Sequence, residues 1–131
     1  MKRRTYLGAM LAGASTAAAQ TAKAAQNIQL FVDFEVDAAK EKEMLHHFHT
    51  VFHPAGAKFA GFIDLKLLKL RTALQGAAPP AGKYRFELTY ESEELRQKWI
   101  TSAVHGKVWG ALESMFKSKN YTVYLYDITR G

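Results

Sequence analysis

The apolar residues of this chain change their spacing in a fixed order, and that order restricts the fold more than any single residue does. From Ile28 to Val36, the residues Ile28, Leu30, Val32, Phe34 and Val36 alternate with Gln29, Asp33 and Glu35. A period of two puts one set on a single face, as in a strand buried on one side. Asp37 then stands at an N-cap position, with Glu41 and Glu43 in the early turns, where the helix dipole favours negative charge. Met44, Leu45, Phe48, Val51 and Phe52 recur at helical spacing. This predicts a helix from Ala38 to His53, stopped by Pro54 and Gly56.

The period of two returns from Gly61 to Arg71, with Ile63, Leu65 and Leu67 alternating. Leu67 and Leu68 are adjacent and Leu70 continues on the other face, which predicts a bulge or a change of buried face there. Leu74 to Gly82 reads as a loop, and Lys83 to Glu91 as the most regular strand, with Tyr84, Phe86, Leu88 and Tyr90 on one face. Ser92 caps a second predicted helix that runs to Lys117. Leu95, Trp99, Ala103, Gly106 and Gly110 share a stripe on it, whose small residues would bring the helix close to a sheet. Tyr121 to Ile128 is a last strand, apolar on both faces.

The order β-α-β-β-α-β, with no internal linker, predicts an α+β, ferredoxin-like split arrangement: a four-stranded antiparallel sheet with two helices on one face. Phe31, Leu68, Leu70 and the aromatic side of the last strand would leave the opposite face too apolar for water. Exposed area of that kind marks an interface or a ligand groove, and the expectation is a homodimer packed sheet to sheet.

The N-terminal segment is of another kind. Met1-Lys2-Arg3-Arg4-Thr5-Tyr6-Leu7 precedes a mildly apolar run of small residues from Gly8 to Ala19. A basic start, a short apolar stretch and Ala-x-Ala sites mark a segment removed on export. Arg3-Arg4 followed by Tyr6-Leu7 resembles the twin-arginine signals of bacteria. Residues 1–25 are therefore expected to be a signal peptide and 26–131 the exported, periplasmic or secreted domain, with cleavage after Ala19, Ala24 or Ala25. The apolar stretch is too short and too rich in Gly, Ala, Ser and Thr for a stable membrane span.

Lys2, Arg3, Arg4 and Lys23 make up four of the 18 basic residues, leaving 14 against 12 acidic ones in the remainder. The basicity of the whole chain thus owes much to its N-terminus, and no concentrated basic face points to nucleic acid. The chain has no cysteine, so disulfides, thiolate metal sites and cysteine nucleophiles are excluded.

Three segments carry a family resemblance. These are the turn Pro54-Ala55-Gly56-Ala57-Lys58-Phe59-Ala60-Gly61-Phe62, the passage Tyr90-Glu91-Ser92-Glu93-Glu94-Leu95, and the helical Trp99-Ile100-Thr101-Ser102-Ala103-Val104-His105. With the strand order, they resemble the dimeric α+β barrel superfamily, and within it the antibiotic-biosynthesis-monooxygenase-like (ABM-like) domains. The third segment keeps the serine and second histidine of a family helix motif, with Trp99 at the place of the first histidine. The resemblance implies a sheet-lined cavity for aromatic or quinol-type substrates, used without a cofactor. Other branches bind haem through a histidine, and some members have no demonstrated activity.

Within that frame His105, between two tryptophans, is the candidate catalytic base: a neutral imidazole there would take a proton from a phenolic substrate. A half-buried structural histidine is the competing reading. Trp99, Trp109, Tyr84 and Tyr90 are candidate lining for a small aromatic or apolar ligand. His46, His49 and His53 fall on one side of the first predicted helix, and His49 and His53 have the i, i+4 spacing that lets two imidazoles share a metal ion. A divalent metal or haem iron would accept them; equally, they are boundary residues bonded to water. The HExxH pattern is missing. The reading is therefore an exported oxygenase-like domain with no cofactor, or a non-catalytic binding dimer for a small apolar ligand, haem or metal.

Overall fold

The computed structural model describes residues 27–77 and 83–129. The expected signal peptide, residues 1–25, lies outside them. The described residues form four strands, β1 (Ile28–Glu35), β2 (Phe62–Lys69), β3 (Lys83–Tyr90) and β4 (Thr122–Asp127). They form one sheet in the order β2-β3-β1-β4, with every pairing antiparallel. This is the ferredoxin-like arrangement that the alternation of periods predicts.

Register decides which side chains meet. Leu30 lies opposite Leu88 on one side and Leu125 on the other; Val32 lies opposite Phe86 and Val123. Ile28, Leu30, Val32 and Phe34 are buried with Tyr84, Phe86, Leu88 and Tyr90, so the two central strands give their whole inner row to the core. Phe48 and Phe52 from the first helical segment and Trp109 from the second meet Phe86 on that face.

The first helical segment differs from its prediction. It comprises α1 (Ala38–His47), a π-helical turn (Phe48–Phe52) and α2 (His53–Ala57). Pro54 and Gly56 do not stop it. A proline has no N–H for the carbonyl four residues back, and its ring crowds that carbonyl. The wide turn just upstream, where the His53 N–H reaches the Phe48 carbonyl, shifts the hydrogen-bond register before Pro54. The proline then falls in the first turn of α2, where it costs little.

The second helix is also not continuous. It is divided into α3 (Glu93–Ile100) and α4 (Ala103–Glu113). Thr101 Oγ1 donates to the Gln97 carbonyl at 2.8 Å, and Ser102 Oγ donates to the Trp99 carbonyl at 2.7 Å. Ser102 Oγ also accepts the His105 N–H at 3.1 Å, so one hydroxyl ends α3 and caps α4. Gly106 and Gly110 are exposed, with open space where a Cβ would stand. The small-residue stripe therefore does not face the sheet. Val108 and Leu112 do the burying instead.

In β2 the irregularity lies between Phe62 and Asp64, at Ile63, and not at Leu67. The buried face does not change at Leu68 either: Leu65 and Leu67 lie opposite Leu88 and Phe86 of the core, and Leu68 pairs with Arg85 on the outer surface. There Arg85 sits over the Phe31 ring at 4.8 Å, Tyr126 lies 5.0 Å from Phe31, and Asp33 receives both Nε and Nη2 of Arg85. This outer face is apolar and exposed, as its sequence predicts. β4 is exposed throughout, including Val123 and Leu125 on the inner side. Among the described residues no helix is long and apolar enough to cross a membrane.

Candidate active site

Trp99 closes α3 from below and is 1% exposed, with the Phe59 ring 4.9 Å and the Phe52 ring 6.0 Å away. Because Ser102 restarts the helix immediately afterwards, His105 occupies the first turn of α4 and meets Trp99 edge-on at 4.8 Å. Trp109, one turn further on, lies parallel to the imidazole at 6.0 Å. Together these rings wall a cavity of about 190 Å³ between α3, α4 and the inner sheet face. Its floor is Leu30, Val32, Phe86 and Leu88, and its outer side includes Val123 and Tyr121.

Three side chains give the cavity its polar character. His105 is one, and among the described residues nothing hydrogen-bonds its ring nitrogens. Burial, and secondarily the positive charge of Arg96, push its pKa below the usual 6.5. It is therefore a neutral imidazole at neutral pH. Arg96 is the second: its Nε and Nη2 hold the Glu93 carboxylate at 2.5 and 2.9 Å, and Gln97 Nε2 donates to the same carboxylate at 3.0 Å. The third is Tyr121, whose hydroxyl donates to Glu113. Burial and that carboxylate push the phenol up to about 12, with the nearby Trp109 indole N–H pulling the other way.

The other predicted residues lie elsewhere. Tyr84 is buried on the inner sheet face but donates to Glu41, which also holds Lys69 Nζ at 2.7 Å. It faces a separate surface trough of about 530 Å³ with Lys69, Lys83 and Arg85. Tyr90 is fully buried with no partner for its hydroxyl among the described residues, and burial pushes it up to about 12; it does not line the cavity.

His46 and His49 are exposed, and His53 packs on Phe62 at 5.9 Å. Among the described residues no three His, Asp, Glu or Cys side chains are grouped to hold a metal ion. The histidine with a clear structural role is His47, whose Nε2 donates to the Val108 carbonyl at 3.0 Å and ties α1 to α4. A haem does not fit the cavity either: about 190 Å³ is below the roughly 300 Å³ at which pockets for drug-sized ligands begin.

Sequence reasoning missed Arg96, Ile100, Phe52 and Tyr121 as lining. Arg96 follows Glu93 at i, i+3, a spacing that normally signals an exposed ion pair. Tyr121 opens a strand and reads as packing. These residues come from the π turn, α3 and the approach to β4, and only the tertiary fold brings them to His105.

No protein-family model matches the sequence, and no curated protein matches it. Solved structures do. SnoaB from Streptomyces nogalater, a cofactor-independent oxygenase, is similar with a TM-score of 0.66 at 15% identity, over 82% of this chain and 97% of that one. A Caulobacter crescentus protein provisionally described as an antibiotic biosynthesis monooxygenase gives 0.67 at 15% identity, over 82% and 93%. This chain shares their fold. An ethyl tert-butyl ether d (ethd) family protein from Bacillus halodurans shares it, with a TM-score of 0.60 at 17% identity, over 79% and 99%. A shared fold does not fix a function, so the reaction must be read from the cavity.

Proposed function

We propose that this ABM-like domain is a cofactor-independent oxygenase acting on a small phenolic or quinol-type substrate, with His105 as the proton acceptor. The observation that carries this reading is a neutral imidazole whose ring nitrogens have no partner among the described residues, walled by two indoles in a small cavity that Arg96 also lines. The fold's similarity to SnoaB, itself a cofactor-independent oxygenase, supports it.

His105 accepts the phenolic proton, and the Arg96 charge favours the anion left in the cavity. An electron-rich phenolate can pass electrons to dioxygen without help from a cofactor. In the balanced reaction a phenol and dioxygen give the quinone and water. One oxygen atom becomes the new ring carbonyl, the other leaves as water, and the ring supplies the electrons. The apolar walls keep bulk water from the oxygenated intermediate.

Oxygen uptake by purified protein with a panel of phenols and hydroquinones, no cofactor added, tests the reading. Turnover should fall at least about a hundredfold in His105→Gln, the usual scale for a general base. Equal turnover by the variant would remove His105 from the mechanism.

The same reading includes a homodimer joined through the outer sheet face, supported by the exposed Leu68, Leu70, Tyr124 and Tyr126. It also includes export, supported by the Lys2-Arg3-Arg4 start and the small-residue run that follows. The mass of the protein recovered from periplasm, native and denatured, tests both.

A further inference from the structure

The polar groups of the cavity differ in what they can still give or take. Arg96 is donor-only, and a guanidinium has about five N–H donors. Glu93 occupies Nε and one hydrogen of Nη2, leaving Nη1 without a partner among the described residues. Tyr121 has its proton committed to Glu113, so towards the cavity its oxygen can act only as an acceptor, one it shares with the Trp109 indole N–H. His105, neutral, offers an acceptor nitrogen. The remaining walls are apolar, apart from Trp109, whose indole N–H lies near the Tyr121 oxygen. The ligand must thus present one anionic oxygen and two hydroxyl donors on an apolar body. At about 190 Å³, that body is a single ring.

We infer that the cavity selects a one-ring dihydroxy aromatic acid, its carboxylate on Arg96 and its two hydroxyls on His105 and Tyr121. This rests on the cavity being the substrate site proposed above, and it narrows the phenol class to one donor and acceptor pattern. Arg96 and Tyr121 are then specificity-determining, and Glu93 and Glu113 are positioning residues that fix which edge of each faces the ligand. A lone carboxylate on a fully unpaired guanidinium would bind more tightly still. Sharing Arg96 with Glu93 gives discrimination at lower affinity.

Calorimetric titration under nitrogen, where no turnover occurs, tests this with three probes: 2,5-dihydroxybenzoate, hydroquinone and 3-hydroxybenzoate. The first should bind at least about tenfold more tightly than either other probe, the scale of a charge-assisted or buried hydrogen bond. Arg96→Gln should erase the preference over hydroquinone and keep the preference over 3-hydroxybenzoate. Tyr121→Phe should do the reverse. Equal binding of the three probes, no binding, or preferences that survive both substitutions would overturn the inference. Should a variant fail to fold, the wild-type ranking decides alone. Oxygen uptake with 2,5-dihydroxybenzoate separates the two readings. Selective binding without uptake leaves this inference standing and removes the oxygenase, whereas turnover confined to ligands without a carboxylate does the opposite.

Discussion

The imidazole of His105 and the indole of Trp109 lie 6.0 Å apart and within 8° of parallel, one turn apart on α4. Trp99 meets the same imidazole at 84° from the neighbouring helix. Helix geometry sets the first relationship, and the Ser102 cap sets the second. Between them they desolvate the ring without supplying a hydrogen bond.

That environment fixes a pH dependence. Burial, and then Arg96, hold the His105 pKa below 6.5, so the base stays unprotonated into mildly acidic solution. The acid limb of kcat/KM should therefore lie below pH 6.5. Arg96→Gln, which removes the lesser of the two causes, should move it upward. For stability the sign is as follows: the unfolded chain takes up this proton at a higher pH than the folded one. The histidine's contribution is therefore present above the unfolded value of 6.5 and is lost as pH falls below it through the lower folded pKa. Urea unfolding at stepped pH, wild type against His105→Gln, checks it. An acid limb above 6.5 would contradict the buried imidazole.

Ser102→Ala removes the hydroxyl that caps α4 and closes α3. Loss of an N-cap costs about 1 kcal/mol. Because His105 is the residue whose N–H is capped, turnover should fall further than the shift in melting midpoint accounts for. Ser102→Thr should restore most of both. Equal losses in Ser102→Ala and Ser102→Thr would show that the hydroxyl does not position the base.

Gly61 has φ +92°, and a Cβ there would stand 2.7 Å from the Leu95 Cβ. Gly61→Ala should destabilise the domain by about 1–3 kcal/mol from the backbone alone. Adding Leu95→Ala should not rescue it, since the Leu95 Cβ remains. Chemical denaturation of the single and double variants reads this directly.

Gly110 is the contrasting case, within α4 and with open space at its Cβ position. Gly110→Ala should stabilise the domain by about 0.5–1 kcal/mol through helix propensity, with turnover unchanged. A lower melting midpoint would mean that something packs on that face in solution.

The two central strands were legible because each carries its own alternation; β1 and β3 fall within one residue of their predicted ends. The helices were legible in place but not in continuity. Ser102 is a cap signal, but it lies inside a run whose apolar spacing continues across it, so periodicity alone favours one long helix. The π turn has no sequence signature beyond the Pro54 that it accommodates. Trp99, His105 and Trp109 were found because aromatic residues flank a histidine, whereas Arg96 on α3 and Tyr121 just before β4 reach the cavity only through tertiary packing. The histidine stripe fared differently: its spacing describes a helix face, and in the fold His46 and His49 of that face are turned to solvent.

β4 pairs with β1 on one side only, and Val123, 48% exposed, is both part of that strand and part of the cavity wall. A wall made from the outermost strand is the least protected part of the sheet against local opening. Its amide hydrogens should exchange with solvent sooner than those of β1 or β3. A bound ligand, by bracing Val123 from inside, would slow that exchange first. Deuterium uptake along Thr122–Asp127 therefore serves as a built-in occupancy gauge for the cavity, readable before any reaction is known.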